Sequence, residues 1–74
     1  MEQQLSTPLR GDRLLSLDEI AVAIDRTRHT VRWMRQNQRG PRTFLHRGRI
    51  VAYESEVRDW LRAEEARTAR AGVR

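Results

Sequence analysis

The 74-residue chain contains no cysteine and no lysine. Without cysteine it can be stapled neither by disulfides nor by a thiolate zinc site, so a chain of this length must fold on one small core. Aromatic residues are scarce, with two Trp, one Tyr and one Phe. The basic part of the chain therefore lacks the row of rings on which single-stranded RNA bases stack. No apolar run approaches the roughly 20 residues of a membrane span, and the N-terminus lacks the basic-then-apolar order of a signal peptide, so the expected location is cytosolic. His29 and His46 lie 17 residues apart in a basic stretch that holds no carboxylate, which predicts no metal site and no cofactor. The serines Ser6, Ser16 and Ser55 have no histidine in view, and the adjacent acids Asp18 and Glu19, or Glu64 and Glu65, do not face one another as a catalytic pair would. The chain is not expected to be an enzyme.

One further absence is local. From Arg26 to Tyr53 there is no Asp or Glu, yet the segment holds Arg26, Arg28, Arg32, Arg35, Arg39, Arg42, Arg47 and Arg49. The net charge of +5 is due to this block, because the rest of the chain is slightly acidic. A GC-biased genome explains the choice of Arg over Lys, but not the exclusion of carboxylates from so long a stretch. Positive charge concentrated in one segment predicts a polyanionic partner.

The pattern around the block predicts its shape. Residues 1–12 are polar, carry Pro8 and Gly11, and read as a mobile arm; residues 13–15 read as a short extended lead-in. Ser16 and Glu19 form a capping box, and Leu17, Ile20, Ala21 and Ile24 follow at the spacing of one buried helical face, which predicts a helix over 17–24. After a turn at Asp25 and Arg26, in which Arg26 is expected to pair with Asp25, Thr27 can cap a second helix over about 28–37. Thr27, Thr30, Val31 and Met34 share one side of it; Arg28, His29, Arg32, Arg35 and Gln36 share the other. Gly40 and Pro41 break that helix. Residues 43–46 and 49–53 read as hairpin strands, with Arg47 and Gly48 between them and Gly48 supplying a positive φ. Ser55 is the expected cap of a third helix over about 56–68, with Val57, Trp60 and Leu61 as its apolar stripe and Trp60 as a core anchor facing Ile20, Ile24 and Val31. Trp33 is expected to pack beneath the hairpin. Beyond Ala63 the chain is helix-compatible but has no apolar face. The expected division is an arm (1–12), a domain (13–63) and a C-terminal extension (64–74).

The segments LSLDEIAVAI, RTRHTVRWMR, RGPRTF, HRGRIVAY and SEVRDWL occur in this order over residues 14–61. Together they resemble the excisionase/AlpA-like group of small DNA-binding proteins, related to the DNA-binding domain of MerR-type regulators. The resemblance implies a mostly α fold with a two-stranded β wing, a winged helix-turn-helix. It also implies a phage or mobile-element protein that binds and bends attachment-site DNA beside a tyrosine or serine integrase and directs recombination toward excision. A small AlpA- or MerR-like transcriptional regulator is the alternative, and a module that meets an acidic protein is a third class.

On this reading Arg28, His29 and Arg32, in the first half of the second helix, face base edges, since Arg pairs bidentately with guanine. Arg35 or Gln36 reaches phosphate, and Thr27 with the amides it caps can hold another. Arg47, Gly48 and Arg49 present two guanidiniums at a hairpin tip, a shape suited to phosphates or a narrow minor groove. Arg39 and Arg42 flank the same backbone. A single domain neutralising about 4–6 phosphates binds weakly, so several copies are expected to cooperate on neighbouring sites.

Overall fold

The computed structural model describes residues 12–72, with side chains described through residue 69. The arm expected over 1–12 lies outside the described residues, except for Asp12. The described chain runs β1 (Leu14–Ser16), α1 (Leu17–Ile24), α2 (Arg28–Gln36), β2 (Phe44–His46), β3 (Arg49–Tyr53) and α3 (Glu54–Gly72). It is a small mixed fold, three helices against a three-stranded antiparallel sheet in the order β1-β3-β2, compatible with a winged helix.

α1 occupies the residues its pattern predicts. The Glu19 amide donates to Ser16 Oγ at 3.2 Å and the Ser16 amide to Glu19 Oε1 at 2.9 Å. That second bond, reinforced by the Arg13 guanidinium, holds the Glu19 carboxyl below its ordinary value. α1 ends where Asp25 turns left-handed (φ 60°) and the Arg26 amide closes on the Ala21 carbonyl at 2.9 Å; Asp tolerates this conformation better than most residues. Thr27 then caps α2, accepting from the Thr30 amide at 3.1 Å.

The core joins Leu15, Ile20, Ala21, Ile24, Val31, Ala52 and Val57, with Ile20 fully buried (0% exposed). Leu17, Met34 and Trp60 pack around it, so Trp60 is a flank of the core rather than its centre. Each fully buried aliphatic contributes about 1.5–3 kcal/mol. Leu15 and Ala52 stand opposite one another across β1 and β3 and both enter the core. Alternation along β3 sends Val51 and Tyr53 to the other face, where the Phe44 ring lies 5.6 Å from that of Tyr53.

Three expectations need correction. The sheet has three strands, not two: the extended lead-in hydrogen-bonds to β3 in the register Leu14 to Tyr53, which covers one edge of the central strand. The third helix begins at Glu54, directly after β3, so Ser55 lies inside its first turn and is not its cap. Asp12 takes that role from a distance in sequence, its carboxylate accepting from the Ser55 amide at 3.0 Å and the Ser55 hydroxyl at 2.7 Å. The Glu54 amide donates to the Arg13 carbonyl at 2.8 Å. Asp12, expected to close the arm, is thus tied to the start of α3. Finally, α3 continues to Gly72 rather than stopping near residue 68. Ala, Arg and Glu are strong helix formers, and the helix is reinforced by an Arg67–Glu64 pair and by the Thr68 hydroxyl on the Glu64 carbonyl at 2.9 Å.

Candidate nucleic-acid interface

α2 buries only Val31 among its nine residues, and its remaining apolar contact with the core comes from Met34. This narrow attachment leaves Arg28, His29, Arg32 and Gln36 exposed along one side. Thr27 is exposed too, but its hydroxyl is engaged with Thr30 as a cap.

The hairpin turn places both Arg47 (φ 56°) and Gly48 (φ 76°) in the left-handed region, the backbone of a type I′ turn, whose twist matches paired strands. Only Gly48 was expected there. A non-glycine residue at positive φ is uncommon, and Arg47 holds its charge at the extreme tip in spite of that cost.

Folding gathers these residues around two open clefts. In the first, about 340 Å³, Arg28 and Arg32 of α2 face Gly48 and Arg49 of the hairpin, with Val51 and Leu17 contributing to the walls. The second, about 380 Å³, lies where α2 gives way to β2 and is lined by Arg35, Gln38, Arg39, Gly40, Pro41, Arg42 and Thr43. Gly40 is required here: its φ is 78°, and a Cβ would stand 3.1 Å from Met34 Sδ and 3.2 Å from Met34 Cβ.

The basic segment contains no acid of its own, but folding brings two acids from outside it into contact with its arginines. Asp18, in the first turn of α1, meets Arg28 Nε at 2.9 Å inside the first cleft. Glu56 of α3 meets Arg42 at 3.7 Å. Nothing near Arg28 in sequence announces its partner; the turn at Asp25 brings the start of α1 beside the start of α2. Arg26 also differs, donating to the Asp25 backbone carbonyl at 3.5 Å and not to its carboxylate. Arg32, Arg35, Arg39, Arg47 and Arg49 have no carboxylate in ion-pair range among the described residues. Five cations without counter-charge on α2, the junction and the hairpin form a surface suited to anions.

Two side chains sit differently from their expected places. Trp33 is not packed away under the hairpin. About half of it (49%) is exposed, and the Arg39 guanidinium lies over its ring, 5.9 Å from the centroid. Such a contact is worth about 0.5–1 kcal/mol at an exposed site and favours this direction of Arg39. Arg35 is half-buried rather than free on the polar face, and its Nε is buried without a hydrogen-bond partner. A buried donor left unpaired costs about 1–3 kcal/mol. Thr43, which the sequence did not single out, joins Arg35 in the junction cleft.

No group of three or more His, Cys, Asp or Glu side chains placed to hold a metal occurs among the described residues, and no helix among them is long and apolar enough to cross a membrane. No protein-family model, curated protein or solved structure matches the chain. A functional reading therefore rests on the site itself.

Proposed function

We propose that the protein is a winged helix-turn-helix protein that binds double-stranded DNA sequence-specifically and acts as an architectural factor of the excisionase type. α2 is its recognition helix, and the β2–β3 hairpin is its wing. The observation that carries this reading is the meeting of Arg28, Arg32 and Arg49 around one cleft. A helix of this width fits the major groove, where Arg28, His29 and Arg32 face base edges. The tip arginines, Arg47 and Arg49, reach phosphates or the adjacent minor groove, while Arg35, Gln36, Arg39 and Arg42 meet the flanking backbone.

In this role several copies bind neighbouring sites, bend attachment-site DNA and help an integrase excise the element. The alternative, an AlpA- or MerR-like regulator, calls for a stable dimer on inverted half-sites. Beyond Trp60 the described side chains of α3 are exposed, apart from the half-buried Glu64, and offer no apolar stripe for the long coiled coil that joins MerR-type protomers. That favours assembly on DNA over a preformed dimer.

Mobility shift on duplexes carrying an attachment site tests the reading. Stepwise, cooperative complexes with bent DNA are expected. A single complex on a straight site would remove the excisionase assignment, and a dimer in solution that binds inverted half-sites would replace it with the regulator.

A further inference from the structure

The junction cleft contains charge that the fold itself does not use. Arg35 projects from the last turn of α2, where it has no carboxylate partner among the described residues and a buried Nε that donates to nothing. Arg39 lines the same space with its guanidinium over the Trp33 ring, 5.9 Å from the centroid. Arg42 also lines the cleft, and its contact with Glu56 is long, at 3.7 Å, with the Arg42 side chain 75% exposed. Thr43 adds a hydroxyl. Two nearby backbone donors are already used, since the Gln38 and Arg39 amides are committed to the Arg35 and Met34 carbonyls at 3.2 and 2.7 Å. The cleft thus gathers three guanidiniums and one hydroxyl, with the Glu56 carboxylate reaching Arg42.

We propose that this pocket, walled by Arg35, Arg39, Arg42 and Thr43, holds a single phosphodiester of the DNA backbone. The assignment rests on the DNA-binding reading above and adds a defined subsite to it. A tetrahedral oxyanion offers several acceptor atoms to converging donors, and guanidinium forks match it in pairs. The buried Nε of Arg35 identifies the central donor. A small turn of the guanidinium aligns Nε and one Nη with two phosphate oxygens, giving the orphan donor its partner. Arg39, steadied by Trp33, and Arg42, released from its long contact with Glu56, close on the remaining oxygens. The pocket carries no sequence information; it sets the register of α2 along the groove.

Two measurements on the full chain test the pocket and keep it separate from DNA binding as such. The first is an NMR titration with inorganic phosphate, with chloride at matched ionic strength as the control. Saturable shifts at Gly40, Thr43 and the Arg35 Nε–H are expected with phosphate only, and they should vanish in Arg35→Gln. The second is the salt dependence of duplex binding for Arg35→Gln and Arg42→Gln. Each should weaken all duplexes alike, by roughly tenfold for a charge-assisted contact, and Arg35→Gln should reduce the salt slope by about 0.9, the share of one phosphate. Arg42→Gln alters an exposed side chain, so it provides the affinity readout even if Arg35→Gln fails to fold. Equal shifts with chloride, or full affinity in Arg42→Gln, with duplex binding by the wild-type chain intact, would overturn the pocket and leave the DNA reading standing. Saturable phosphate uptake by a chain that binds no duplex would overturn both the DNA reading and the backbone assignment.

Discussion

Asp18 holds the Arg28 guanidinium at 2.9 Å within the cleft that faces the proposed DNA. Both side chains are well exposed, so the pair adds little to stability. On the proposed DNA-binding role its effect falls on binding, because a carboxylate in the cleft repels phosphate and occupies an arginine proposed to face a base. Asp18→Asn should therefore leave the melting temperature unchanged while tightening duplex binding at low salt, as read by fluorescence anisotropy. Unchanged or weaker binding would remove Arg28 from the contact set. Asp12 makes a different kind of prediction. The Ser55 hydroxyl, then the Ser55 amide, lower its carboxyl below the ordinary value, with Arg58 adding a smaller push. A carboxylate whose folded value is lowered stabilises fully above the ordinary carboxylate range, near pH 4, and that contribution is lost as pH falls through the lowered value. Thermal melts should show the wild type losing stability on acidification through that window. Asp12→Ala should lose less over the same window, because it lacks the contribution at neutral pH already. Equal acid sensitivity in both proteins would show that the Asp12–Ser55 link does not hold in solution.

Elements were legible where their signals were local. Ser16 and Glu19 sit three residues apart and announce α1 together, and the Gly48 turn is written between two runs of strand formers. β1 was not legible as a strand, because three residues acquire that identity only by pairing with β3. The start of α3 was misread for the same reason: its capping carboxylate, Asp12, comes from 43 residues away. The α2–hairpin arginines could be grouped from sequence, but Asp18 and Glu56, the acids that temper them, could not, since tertiary packing alone brings them there. The hairpin turn offers a direct test at this scale. Gly48 has φ 76° and open space around its Cα, so Gly48→Ala carries only the backbone cost of a left-handed residue, about 1–2 kcal/mol. Chemical denaturation should register that loss. A variant as stable as wild type would show that the turn adopts another backbone.

Across the whole molecule, the charge separates in a way that neither the net value nor any one element conveys. Among the described residues the acids lie on α1, α3 and the residues flanking them, whereas the charged residues of α2, the junction and the hairpin are all arginines. Two of those arginines are tempered by Asp18 and Glu56, and five have no carboxylate within reach among the described residues. The core that supports this surface is modest, so the fold behaves as a small scaffold for a basic face. The central claim is that this face meets the phosphates of duplex DNA. Its most direct test is the equilibrium affinity of the full chain for duplex DNA across a range of salt concentrations. About 4–6 neutralised phosphates predict a slope of log K against log salt near −4 to −5, so that affinity falls roughly 250- to 1000-fold between 50 and 200 mM. Absence of duplex binding at about 100 mM salt, or a slope near zero, would contradict the account, because counterion release scales with the phosphates a basic face neutralises.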